Sequence, residues 1–323
     1  MDYRKVGKTD VKVSEISLGC WTMGGPNWNR GNSIGWAEPN EKEVIEAVHY
    51  AVEQGVNHFD NADVYGDGRA ERMLQRALEG VGRDIIISTK VGHFQGTAPH
   101  AYTPLHIRQQ CEQSLANLKR ECIDIYYFHH GDFGENDMYL EGAVETVRAL
   151  RKEGKIRLLG LSAYGNDDFA RLVPVIEPDV LQAHASMMFD NMVRPGNPVP
   201  ELMKKRGLSL VAFSPLERGL LLDKFDPKNP PEFPEGDNRR GKELYGGSSL
   251  AKVHAKLAKV KERFGKTTED LARVAIQFLL AHEYVCCPIV GFRNLRQVKV
   301  DIAAAGKPVS QSDAAWLREL FTE

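Results

Sequence analysis

Four side chains in the first half of the chain have the types needed to hand a proton to an oxygen atom: Asp60, Tyr65, Lys90 and His129. Phe59-Asp60-Asn61-Ala62-Asp63-Val64-Tyr65-Gly66 follows an apolar run and ends in a glycine turn, so it reads as a strand emptying into a loop. A tyrosine has a pKa of about 10 and donates its proton well near neutrality only if that value falls. A buried ammonium beside the phenol oxygen would lower it by stabilising the phenolate. Ile85-Ile86-Ile87-Ser88-Thr89-Lys90 ends in such an ammonium, and Ile123-Asp124-Ile125-Tyr126-Tyr127-Phe128-His129 ends in a histidine. Singly, each residue has a commoner structural explanation: a helix cap, a solvated charge, turn packing, a core imidazole. Together, at or just past three successive strand ends, they match carbonyl reduction. Tyr65 would protonate the carbonyl oxygen as hydride reaches carbon, with Lys90 depressing the phenol. Asp60 would fix Lys90, and His129 would orient the substrate. General acid help of this kind contributes roughly 10²–10⁴-fold. No side chain donates hydride, so the chemistry requires a nicotinamide cofactor.

The elements that must position these residues alternate along the chain. Residues 3–13 read as a hairpin around Gly7-Lys8-Thr9-Asp10. Strands are expected over 14–19, 57–62, 85–90, 123–129, 157–162, 180–185, 208–214 and 286–291. Helices are expected from Asn40, which pairs with Glu43 as a capping box, and near 69–79, from Pro104, and near 139–153, 166–176, 199–206, 268–282, 295–304 and 311–321. Residues 26–38 read as a loop. An excursion over 217–266, Pro- and Gly-rich at 226–248 with a charged helix near 249–264, reads as a loop-borne lid within one domain spanning 1–323. Eight strands alternating with helices predict an α/β fold, a parallel (β/α)8 TIM barrel with an N-terminal β-hairpin and extended βα loops. In such a barrel the chemistry sits where strands end, and Ser162, Gln182, Ser214 and Gly291 join the acid–base group there. Gly66-Asp67-Gly68 lacks the third glycine of a Rossmann fingerprint, so the barrel loops must hold the dinucleotide. His93, His100, His130 and Asp63 read as structural or peripheral, and Met187 and Met188 as core or pocket wall.

Composition narrows the class further. Lys plus Arg total 42 against 44 Asp plus Glu, a net charge of -2, so no basic excess points to nucleic acid or a membrane surface. No apolar stretch approaches membrane-span length, and the start carries no signal peptide. Cys20, Cys111, Cys122, Cys286 and Cys287 show no C-x-x-C spacing, which suggests neither zinc nor disulfides and fits a reducing cytoplasmic setting. A metal-dependent barrel hydrolase built on His129, His130 and Asp60 would need an H-x-H where Leu18-Gly19-Cys20-Trp21 stands. Trp21, Trp28 and Trp36 suggest an aromatic-lined mouth for a small-molecule carbonyl substrate, while self-association into a homo-oligomer stays open.

With these residues in view the chain resembles the aldo-keto reductase superfamily, and most of all its bacterial branch with long loops after strand seven. Asp60-Asn61-Ala62-Asp63-Val64-Tyr65-Gly66 matches the D-T-A-x-x-Y-G motif with Asn61 for Thr, and Lys90 matches the family lysine. Asp124-Ile125-Tyr126-Tyr127-Phe128-His129 matches D-x-Y-x-x-H, and Leu18-Gly19-Cys20-Trp21 matches L-G-x-W. The resemblance implies NADPH as cofactor, with Cys20 and Trp21 among its contacts. Ser162 and Gln182 would bond the carboxamide, and Phe213 would stack on the nicotinamide. Ser214, Pro215, Leu216, Arg218, Gly219 and Leu220 would wrap the pyrophosphate, with Lys224 nearby. Gly291, Phe292, Arg293, Gln297 and Asp301 would hold the adenosine end, Arg293 meeting a 2′-phosphate. Ala163 and Asp301 stand where the family commonly has Asn. The same resemblance offers a second role, an NADPH-binding regulatory subunit like the β-subunits of potassium channels.

Overall fold

The structure is a computed structural model that describes residues 1–82 and 84–322. A hairpin comes first, β1 (Tyr3–Lys5) antiparallel to β2 (Lys12–Ser14). β3 (Ser17–Gly19) follows, and the loop after it carries a small ribbon, β4 (Trp28–Asn29) against β5 (Asn32–Ser33). The remaining strands are β6 (His58–Asp60), β7 (Ile86–Val91), β8 (Ile123–Phe128), β9 (Ile156–Ser162), β10 (Val180–His184), β11 (Leu210–Phe213) and β12 (Val285–Gly291). β3 and β6 to β12 close a parallel barrel in chain order, with β12 pairing back onto β3. The expected barrel is therefore present, strand for strand, and the ribbon in 26–38 is an addition to the expected loop.

Helices fill the crossovers: α1 (Glu41–Glu53), α2 (Arg69–Leu78), α3 (Pro104–Leu118), α4 (Leu140–Lys152), α5 (Asn166–Ile176), α6 (Pro198–Arg206), α7 (Gly247–Phe264), α8 (Thr268–Leu280), α9 (Leu295–Ile302) and α10 (Gln311–Thr322). Asn40 caps α1 by accepting from the Lys42 and Glu43 backbone N–H groups. The return half of the expected capping box differs: the Glu43 carboxylate accepts from the Asn40 side-chain amide instead of the backbone. Thr267 and Asp270 form the complete reciprocal box, at the start of α8.

Side chains alternate between barrel lumen and helix layer, as a pleated strand requires. Phe59, Tyr126, Phe128, Leu159 and Leu161 pack outward against helices. Ile125, Tyr127, Leu158, Val180, Val211, Cys287 and Ile289 fill the lumen, and Val6, Val11 and Val13 of the hairpin close its lower end. Tyr127 lies beside Gly160 of β9, where an added Cβ would come within 2.2 Å of its ring. Among the described residues no helix is long and apolar enough to cross a membrane.

The segment after β11 packs a small core of its own: Leu220, Tyr245 and Leu250, with Phe225, Phe233 and Leu244 against them. Backbone hydrogen bonds fasten it to the loop after β3, Gly35 N–H to Gly236 C=O and Asn238 N–H to Gly35 C=O, each 2.9 Å. Arg239 lies between two aromatic faces, 4.6 Å from the Trp36 ring centre and 4.2 Å from that of Phe233. Asp237 holds its guanidinium at 2.8 Å.

Candidate active site

The strand period decides which polar residues reach the lumen. In β6, Phe59 turns outward and Asp60 inward; in β7, Ser88 and Lys90 join it. Lys90 Nζ donates to Asp60 Oδ2 at 2.5 Å and to the Asn61 carbonyl at 2.6 Å. Ser88 Oγ and Gln182 Nε2 donate to the other oxygen, Oδ1, at 2.7 and 2.9 Å. Behind them His58 bridges Ser17 Oγ at 2.8 Å and Ser88 Oγ at 3.1 Å. Burial pushes its imidazole down to about 4, so it is a neutral link. His58 drew no notice in the sequence because it precedes the motif residues by one strand pleat; only the lumen shows it supporting Asp60.

Tyr65 lies over this pair, with Lys90 Nζ 5.1 Å from its ring centre. Trp21 stacks on the phenol ring at 5.9 Å, and Trp36 meets Trp21 edge-on at 5.4 Å. His129 stands 5.9 Å from Tyr65, ring centre to ring centre. Burial holds the His129 imidazole well below its usual value, helped by His93 and Lys90, so it is neutral. Its Nδ1 is buried with no hydrogen-bond partner among the described residues.

The electrostatic sign at Tyr65 corrects the sequence expectation. Burial pushes the phenol well above its usual value, and the Asp60 carboxylate pushes the same way. The Lys90 ammonium, bonded to Asp60 and to a carbonyl, does not outweigh them. Tyr65 is therefore a fully protonated phenol at neutral pH.

Asp60, Tyr65 and His129 line a cavity of about 760 Å³ at the C-terminal mouth of the barrel. Ser162, Gln182, Phe213, Ser214, Pro215, Leu216, Arg218, Gly219, Lys224, Gly291, Arg293, Gln297 and Asp301 all line it, as does Trp21. Three expected contacts do not. Cys20 and Phe292 are wholly buried in the layer between strands and helices, and Leu220 is in the core of the post-β11 segment. Each follows a lumen-facing or loop residue by one position, so its side chain takes the opposite, apolar side. Trp28 also leaves the mouth: it is half-exposed on the β4–β5 ribbon, beside a separate shallow depression.

The wall includes His93, which read as structural or peripheral in the sequence, and adds groups that reading did not single out, chiefly Tyr164, Asn238, Arg239 and Lys242. They lie in loops without periodicity, and only the folded mouth brings them together. Cations recur along the wall, Arg218 with its guanidinium 5.8 Å from the Trp21 ring centre. Arg218, Lys224 and Lys242 have no acidic partner among the described residues, and Arg218 Nε is buried without any partner. Burial lowers both lysines, Lys224 further through Arg239 and Arg293, and Lys242 through Arg218. Arg293 is held by the Ala37 and Glu38 carbonyls at 3.3 and 3.0 Å. Asp301, 3% exposed, faces this region with its carboxyl pushed well up by burial. Such a donor set suits a polyanion with a polar ring beyond it.

The Aldo/keto reductase family model matches residues 15–321. The chain belongs to the aldo/keto reductase family. It is thus a member of an oxidoreductase family whose enzymes work with nicotinamide cofactors. Aldo-keto reductase str7 of Strobilurus tenacellus is 29% identical over 99% of this chain and 92% of its own. NADH-specific methylglyoxal reductase of Escherichia coli (strain K12) is 25% identical, over 98% of this chain and 97% of its own. The holo form of aldo-keto reductase AKR11C1 from Bacillus halodurans superposes with a TM-score of 0.75 at 25% identity, covering 99% of this chain and 96% of that one.

Proposed function

We propose that this family member is an NADPH-dependent reductase of aldehyde and ketone carbonyls, acting reversibly on the corresponding alcohols. One observation carries the reading: a protonated phenol, a neutral imidazole and a buried carboxylate–ammonium pair meet at a cavity whose wall also carries Arg218, Lys224 and Lys242 without acidic partners among the described residues. The residues present fit a phosphorylated dinucleotide. Arg218, Lys224 and Lys242 would take its pyrophosphate, Arg293 its 2′-phosphate, Asp301 an adenine amino group, and Ser162, Gln182 and Phe213 its nicotinamide. When bound, that cofactor supplies the hydride; carbonyl, NADPH and one proton become alcohol and NADP⁺.

The chain's own residues do the rest. Tyr65 gives its proton to the carbonyl oxygen. His129, neutral and lining the same cavity, hydrogen-bonds the same oxygen and fixes its direction. Asp60 holds Lys90 under the phenol ring, so that the phenolate left behind faces a cation it did not need in its protonated form. Trp21 and Trp36 shield the oxygen from water. Tyr65→Phe tests the reading. NADPH oxidation by a panel of aldehydes should fall at least about 10²-fold, with NADPH affinity by fluorescence titration near wild type. Retained turnover removes Tyr65 from the role of acid.

A further inference from the structure

His93 stands three residues beyond Lys90, in the loop after β7, and lines the same end of the cavity as Tyr65 and His129. Its ring centre is 4.3 Å from that of His129 and 4.7 Å from that of His130. The two neighbours are used differently. His130 is engaged by the protein: its Nε2 lies 2.9 Å from the Gly92 carbonyl, and its Nδ1 accepts from the Asp132 N–H. His93 is fixed through its backbone, whose carbonyl accepts from Asn29 Nδ2 at 2.9 Å. Neither ring nitrogen of His93 has a hydrogen-bond partner among the described residues. Burial, and then His130, push its imidazole down to about 3, so the ring is neutral, with one donor and one acceptor unspent.

We propose that His93 is a substrate-binding residue that hydrogen-bonds an oxygen on the carbon beside the reacting carbonyl, so that the enzyme selects α-hydroxy aldehydes and α-dicarbonyls over plain aldehydes. The proposal rests on the reductase reading, in which His129 takes the reacting oxygen. His93 lies one ring's width from His129, so its polar edge reaches an oxygen on the next carbon and not a distant substituent. A largely buried polar group is costly when a bound ligand leaves it unpaired, so the site rejects analogues that lack the matching oxygen. His93 follows the lysine motif in a loop without periodicity, which is why it read as peripheral in sequence.

Lactaldehyde and propanal differ by the single hydroxyl that His93 would read. Steady-state NADPH oxidation by the full-length wild type should favour lactaldehyde in kcat/KM. His93→Phe and His93→Ala should each cut the lactaldehyde-to-propanal ratio on the order of tenfold, mainly through KM, and His93→Asn should restore part of it. Fluorescence titration with NADPH reports which variants fold; His93→Ala carries the test if His93→Phe does not. A ratio unchanged in both variants overturns the proposal while propanal turnover keeps the reductase reading. A wild type that binds NADPH yet turns over neither aldehyde overturns both.

Discussion

At the scale of single residues, the site mixes charges that are matched with charges that wait for a ligand. Asp60 and Lys90 are matched within the lumen, whereas Asp63, nearby in the same loop, has both carboxylate oxygens buried without a partner among the described residues. Burial, then Glu71, push the Asp63 carboxyl well above its ordinary 3.8. A group raised in the folded state contributes its stability below its unfolded pKa and loses it as pH rises through the folded value. Asp63→Asn removes that loss. The variant should therefore melt above wild type by a margin that widens from about pH 4 to about pH 8, reaching on the order of 1–3 kcal/mol. Thermal unfolding followed by circular dichroism at both pH values checks this, and a margin that narrows with pH reverses the assignment. Arg293 belongs to the waiting charges. Arg293→Ala should weaken NADPH binding by roughly 10–100-fold, the worth of a charge-assisted contact, with NADH much less affected. Equal losses for the two cofactors would mean that the arginine matters only as the anchor of the Ala37 and Glu38 carbonyls.

At the scale of elements, the cavity owes its roof to two loops that meet across the barrel mouth. The post-β11 segment brings its own apolar core, and backbone bonds at Gly35, Gly236 and Asn238 join it to the loop after β3. Arg239 pins the junction between Trp36 and Phe233. Two desolvated cation–π contacts are worth about 0.5–2 kcal/mol each. Arg239→Ala should loosen the roof without unfolding the barrel: limited proteolysis within 226–248 should speed up several-fold and KM for carbonyl substrates should rise. Cleavage at the wild-type rate would show that the Leu220–Tyr245–Leu250 core holds the segment by itself.

At the scale of the whole molecule, the barrel is a packed solid up to the polar layer. The hairpin valines seal its base, Tyr127 and its neighbours fill the middle, and Asp60, Lys90 and Gln182 begin the open end. The Tyr127 ring has room only because β9 carries Gly160 at the facing register position. Gly160→Ala should overpack the lumen and cost about 1–3 kcal/mol, read as a lower urea midpoint, since backbone strands surround the ring. A neutral effect would mean that the lumen can yield. Much of this plan was legible in the chain. Apolar runs along 57–62, 85–90 and 123–129 already put Asp60, Lys90 and His129 at or just past strand ends, because such a run and the residues that stop it are local and need no partner. The repeated βα rhythm likewise implied closure. Tertiary structure alone decided the rest. It turned Cys20, Leu220 and Phe292 into core, brought His58 behind Asp60 and His93 beside His129, and reversed the expected shift at Tyr65. Each of these depends on how deeply a group is buried and on which distant groups share its surroundings, and neither quantity is carried by neighbours in sequence.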